Sequence, residues 1–200
     1  MKKLVYLISP DKIEDNFYSD LNKVLSFKNV SFFQLRLKNI RSNNLLKVAK
    51  KIKKITAKHK VKFIINDDFT AANKIKADGC HMGQLDGSFK LARNRLKNKM
   101  LGITCHNSKK LAKEACKNRA DYLAFGSFFK SKLKPNARKA KLGILRWAKN
   151  NINIPIVVIG GINNLNYKKL INAGANYIAI SSFIWDNPKL KPEFAIRKFK

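Results

Sequence analysis

The stretch VSFFQLRLK, Val30 to Lys38, alternates apolar and polar residues and decides how the rest of the chain is read. A strand's period of two sends Phe33, Leu35 and Leu37 to one face and Gln34, Arg36 and Lys38 to the other. A polar, cationic face needs a carboxylate or a ligand to offset its desolvation, whereas the opposite face needs apolar cover. A parallel barrel supplies both: helices cover the outside, and the polar trio points into the mouth. A structural ion pair, with Arg36 bridging a barrel carboxylate, is the alternative.

Seven further short apolar runs recur along the chain: LVYLIS, VKFIIND, DGCHMG, MLGITCH, DYLAFGS, IPIVVIGGI and NYIAISS. Between them, Asn43 to His59, Ser108 to Asn118, Lys139 to Asn150 and Leu165 to Ala173 carry helical periodicity. Eight alternations in 200 residues predict a minimal (β/α)8 barrel, an α/β fold of the TIM type with residues 1–200 as one domain. No linker or low-complexity stretch interrupts them.

Polar residues should then gather at the carboxyl ends of the strands. Gln34, Arg36 and Lys38 end the second strand, and Asn66 and Asp67 the third. His81 and Asp86 follow the fourth, while Thr104 and His106 end the fifth. Ser127 ends the sixth, Gly160 and Gly161 the seventh, and Ser181 and Ser182 the eighth.

The formal charge of +31, from 43 Lys and Arg against 12 Asp and Glu, favours any polyanion and chooses none. Lysines interleave with apolar residues at helical spacing, as in LLKVAKKIKKITAKHK, which describes a solvated helix face and not a dedicated nucleic-acid arm. No segment reaches the ~20 apolar residues of a membrane span, and acids at Asp11, Glu14 and Asp15 follow the first apolar run, unlike a signal peptide. The expectation is a soluble cytoplasmic protein with no membrane partner and no specific nucleic acid. Homo-oligomers are compatible with this reading, although no interface is legible. Cys80, Cys105 and Cys116 are odd in number and lack CxxC spacing, which reads as reduced thiols. His59, His81 and His106 lack zinc-ligand spacing. His59 reads as surface decoration, whereas His81 and His106 are either site residues or hydrogen-bonded structural histidines.

Between Asp20 and Glu114 the only acids are Asp67, Asp68, Asp78 and Asp86. Asp67 closes one strand and Asp86 lies in the loop of the next, so the two can converge on one ion. Two carboxylates completed by water and phosphate oxygens describe Mg²⁺ held with a phosphorylated substrate. The alternative is a turn aspartate and a helix cap, since LDGS also reads as a turn entering a helix. Gly160 and Gly161, followed by a helix start and flanked by the Ser181 and Ser182 hydroxyls, fit the phosphate site that barrels build after strands seven and eight.

In order along the chain, VYLIS, QLRLK, IIND, DGCHMGQLD, GITCH, DYLAFGSFF, VVIGGI and IAISS resemble the thiamine phosphate synthase family over about Leu4 to Ile184. The resemblance implies a transferase that joins 4-amino-5-hydroxymethyl-2-methylpyrimidine diphosphate to 4-methyl-5-(2-phosphoethyl)thiazole. Thiamine phosphate and diphosphate are the products, diphosphate leaving first to give a pyrimidine-methyl cation. It implies Mg²⁺ on Asp67 and Asp86, and diphosphate contacts from Arg36, Lys38 and Asn66, with Lys134 reaching over from the loop after strand six. Gln34 and Thr104 would face the pyrimidine and its diphosphate, with Gly161, Ser181 and Ser182 around the thiazole phosphate or the site floor.

The loop FGSFFKSKLKPNARKAKLG departs from the family, whose Pro-Thr-any-Thr-Lys is here Lys130, Ser131, Lys132, Leu133, Lys134. Ser131 keeps one hydroxyl and Lys134 the charge, so the loop is expected to act as a lid over the diphosphate. The second hydroxyl, lost at Leu133, would be worth about 1.5 to 3 kcal/mol of contact to a charged ligand. Two other readings share these residues. A thiazole tautomerase, an isomerase of the same barrel family, would place a histidine at Ser127. A noncatalytic phosphate- or RNA-binding barrel would have no use for Asp67 and Asp86, which repel polyanions.

Overall fold

A computed structural model describes residues 4–38, 40–130 and 139–200. Strands β1 (Val5–Ile8), β2 (Val30–Leu35), β3 (Lys62–Asn66), β4 (Gly79–Met82), β5 (Met100–His106), β6 (Tyr122–Gly126), β7 (Ile156–Ile159) and β8 (Tyr177–Ile180) form a closed barrel. Every neighbouring pair is parallel, including β8 with β1, so no sheet edge is left open. Helices α1 (Phe17–Ser26), α2 (Ser42–Lys58), α3 (Phe69–Lys74), α4 (Phe89–Leu96), α5 (Lys109–Lys117), α6 (Leu142–Asn151), α7 (Tyr167–Asn172), α8 (Ser182–Trp185) and α9 (Pro192–Ala195) complete the chain. No helix among the described residues is long and apolar enough to cross a membrane.

Strand alternation divides the core in two. Outward residues such as Val5, Phe33, Ile65, Cys80, Met82, Ile103 and Val158 pack against the helices in one large cluster. Inward residues Tyr6, Ile8, Phe32, Ile64, Tyr122, Ala124, Val157 and Ala179 fill the barrel, so its interior is packed and its chemistry is confined to the mouth. Side-chain caps open several helices locally: Asp68, Ser88 and Ser108 accept from the backbone N–H groups of Ala71, Leu91 and Leu111. Helix α2 buries Leu45, Ala49 and Ile52 while Lys47, Lys50, Lys51, Lys54 and Lys58 are exposed, as the interleaved pattern predicted.

Some boundaries differ from the sequence reading. Strand β2 stops at Leu35, so Arg36 and Lys38 lie in the following loop and, of the three polar residues, only Gln34 is in the strand. The reason is local: Ser9 Oγ accepts from the Arg36 N–H at 2.9 Å and donates to the Arg36 carbonyl at 3.2 Å, taking both backbone groups away from a ladder. His81 lies within β4 and does not follow it. Helix α6 begins at Leu142, after Lys139, and α7 at Tyr167, after an Asn163 side chain accepts from Leu165 and Asn166 in a turn.

Candidate active site

The carboxyl ends of β2 to β5 assemble one polar surface. Gln34 is buried at 2% exposure, and its Nε2 donates to Asn66 Oδ1 at 3.1 Å. This fixes the amide orientations on two adjacent strands. Past Asn66 the chain turns sharply, with Asp67 at φ +63, a left-handed conformation that aspartate tolerates better than most residues. The Asp67 N–H donates to the His81 carbonyl at 2.8 Å and the Asp68 N–H to the Asn66 carbonyl at 2.8 Å, so this turn is pinned from both sides.

Asp86 arrives from the loop after β4. Its Oδ2 accepts from the Gly83 N–H at 2.6 Å, closing that loop. The Asp67 carboxyl lies beside that of Asp86. Burial, the Asp86 hydrogen bond and the Asp86 charge together push the Asp67 carboxyl up to about 7, while Arg36 and Lys38 oppose the rise. Two neighbouring carboxylates of which one is raised in this way favour a proton between them unless a cation takes its place. Hard oxygen donors suit Mg²⁺, which accepts one or two carboxylates and fills its octahedron with water and phosphate oxygens. Among the described residues no group of three or more His, Cys, Asp or Glu could hold a metal, so the remaining ligands would come from elsewhere.

This proton has a measurable consequence. A carboxyl raised in the folded state contributes its full stability below about pH 4, and loses it as pH rises through about 7. In metal-free protein Asp67→Asn should therefore gain on the parent as pH rises from about 4 to about 7, by about 1 to 2 kcal/mol after solvent screening of a half-buried group. Denaturation curves across that range check it, and a constant difference between the two proteins contradicts it.

Cations stand beside the pair. The Arg36 side chain is 15% exposed, with Nη1 2.9 Å from Asp11 Oδ1. The bridge to Asp11 corresponds to the ion-pair alternative for Arg36, but Asp11 is 53% exposed, so the contact is weakly stabilising and leaves the guanidinium available to a ligand. Lys38 is exposed on the same loop. Ser9, which sequence reasoning passed over, is the staple of this corner: it holds the Arg36 backbone, and its carbonyl accepts from Ser181 Oγ at 3.0 Å. Ser181 thus joins the β8 end to the Arg36 loop, while Ser182 opens α8.

Thr104, on β5, bonds through Oγ1 to His81 Nε2 at 2.8 Å, and its carbonyl accepts from Gln84 Nε2 at 2.5 Å. Gly160 and Gly161 follow β7 at φ +105 and +59. A Cβ on Gly160 would overlap Ser127, and one on Gly161 would overlap the Lys130 carbonyl and press on Phe129. The chain after β6 packs beside both glycines. Ser131 and Lys134 lie outside the described residues. His59 caps α2 and bonds to Asn22 Oδ1 at 2.9 Å, remote from the mouth.

The chain matches the family model described as thiamine monophosphate synthase over residues 5–184. It is 57% identical over 200 residues to a thiamine-phosphate synthase of Pelagibacter ubique, covering 100% of this chain and 97% of that protein. Against the thiamine-phosphate synthase of Erythrobacter litoralis it is 41% identical over 186 residues, covering 90% of this chain and 87% of the other. The solved thiamine phosphate pyrophosphorylase from Pyrococcus furiosus superposes with a TM-score of 0.87 at 27% identity, covering 98% of this chain and 93% of that one. A family match along nearly the whole barrel, together with relatives of full length, shows that this chain belongs to the thiamine monophosphate synthase family.

Proposed function

We propose that the protein is a thiamine phosphate synthase that takes the pyrimidine diphosphate and the thiazole phosphate and releases thiamine phosphate and diphosphate. The observation that carries this is the pairing of Asp67 with Asp86 beside Arg36 and Lys38 at the barrel mouth. A carboxylate pair flanked by cations suits a Mg²⁺-bound diphosphate, and would repel a polyanion bound without metal.

In this reading Asp67 and Asp86 hold Mg²⁺, which when bound neutralises charge on the leaving diphosphate. Arg36, Lys38 and Asn66 contact the same diphosphate, and Lys134 adds a cation from the loop that also carries Ser131. Gln34, locked by Asn66, orients the pyrimidine, and Thr104 reaches its diphosphate end. Gly161, Ser181 and Ser182 surround the thiazole phosphate. The carbon–oxygen bond to diphosphate breaks first and the thiazole nitrogen then captures the pyrimidine-methyl cation. Catalysis is chiefly charge stabilisation and positioning, and no general base is required of these residues.

Purified protein given both substrates and Mg²⁺ should form thiamine phosphate, and omission of either substrate should abolish it. Folded protein that forms none overturns the reading. Conversion of a thiazole carboxylate phosphate alone would favour the tautomerase instead, although Ser127 offers no imidazole for such a proton shift.

A further inference from the structure

Inside the barrel, four side chains form a hydrogen-bonded chain of which only the last has been given a role. The Tyr6 and Tyr122 hydroxyls are 2.7 Å apart. The Tyr122 hydroxyl is 3.1 Å from His81 Nδ1, and His81 Nε2 is 2.8 Å from Thr104 Oγ1. The imidazole lies nearly parallel to the Tyr122 ring, at an interplanar angle of 18°. Gly102 makes room for this arrangement, since a Cβ there would overlap the hydroxyl end of Tyr122. The chain climbs from Tyr122, the first residue of β6, to Thr104 near the end of β5.

Donor counting gives the chain a direction. Each phenol has one proton to donate, and burial pushes both tyrosines well above their usual range, so both stay neutral. Tyr6 is 2% exposed and its hydroxyl meets only Tyr122 among the described residues. A Tyr6 proton aimed elsewhere would be buried without an acceptor, which is costly. Tyr6 therefore donates to Tyr122, and Tyr122 donates onward to His81 Nδ1. The single ring proton of neutral His81 then sits on Nε2 and is donated to Thr104 Oγ1. The Thr104 proton is left for a ligand at the mouth. The opposite direction would consume that proton on His81.

We propose that His81, as the neutral tautomer protonated on Nε2, is a positioning residue that holds the Thr104 hydroxyl as a donor toward the diphosphate end of the pyrimidine substrate. The substrate named here rests on the proposed function, whereas the tautomer does not.

Nitrogen-15 NMR of histidine-labelled protein reads the tautomer without turnover, with the His81 signals identified by their loss in His81→Gln. The expected result is a bare Nδ1 and a protonated Nε2. Tyr122→Phe, which keeps the ring and removes only the hydroxyl, should shift His81 toward a mixture of tautomers. In turnover, Thr104→Val and His81→Leu should each lower kcat/KM for the pyrimidine diphosphate about 10- to 100-fold. The double variant should fall no further than the weaker single variant, since both remove the same contact. His81→Gln, whose amide can still donate to Thr104, should recover most of the loss. A proton on Nδ1, a tautomer indifferent to Tyr122→Phe, or losses that multiply in the double variant would overturn the proposal. If the parent makes no thiamine phosphate, the functional reading fails while the tautomer result still decides the hydrogen-bond assignment.

Discussion

Asp67→Asn and Asp86→Asn should each lower Mg²⁺-dependent formation of thiamine phosphate about a thousandfold, a loss of about 4 kcal/mol of transition-state stabilisation. Asparagine is the informative replacement at both positions. Asp67 sits at φ +63, which asparagine also tolerates, so the turn after β3 is preserved. At Asp86 the amide oxygen can still accept from the Gly83 N–H, so that loop stays closed. What each change removes is the negative charge that would hold a cation against the leaving diphosphate. Asp67→Asn should therefore be nearly inactive and yet more stable than the metal-free parent above pH 7. Activity within tenfold of the parent in both variants would refute the metal assignment.

Arg36→Met should lower kcat/KM for the pyrimidine diphosphate about a hundredfold, or about 3 kcal/mol, because methionine keeps much of the side-chain bulk and removes the charged donors. Folding stability should change by less than about 1 kcal/mol, since the one ion pair lost, to Asp11, is exposed on the Asp11 side. The guanidinium also opposes the upward shift of Asp67, so its removal should raise the Asp67 carboxyl further and make the Mg²⁺ requirement steeper at low pH. Steady-state kinetics at several Mg²⁺ concentrations, beside a denaturation curve, separate these effects. A large stability loss with unchanged kcat/KM would make Arg36 a structural residue.

The barrel was legible because its signals are local. Each strand is a short apolar run ending in a polar residue, and LLKVAKKIKKITAKHK carries its own helical period. The convergence of Asp67 and Asp86 was also legible, because β3 and β4 are consecutive strands and the acids are so few. What remained hidden depends on relative height between strands. Tyr6, Tyr122, His81 and Thr104 come from β1, β6, β4 and β5, and meet only through the stagger of a closed barrel. Gly102, inside the apolar run MLGITCH, was the available signal, since a glycine within a strand marks a close approach. The end of β2 was misplaced for a similar reason. Alternation in QLRLK continues past Leu35, but the Ser9 hydroxyl, just after β1 and more than twenty residues earlier in the chain, claims the Arg36 backbone.

The most direct measurement of the central claim follows both products in one reaction of the purified protein with the pyrimidine diphosphate, the thiazole phosphate and Mg²⁺. Thiamine phosphate and diphosphate should appear in a one-to-one ratio, and chelation of Mg²⁺ should stop both. Folded protein that releases neither product, or diphosphate without thiamine phosphate, would contradict the account.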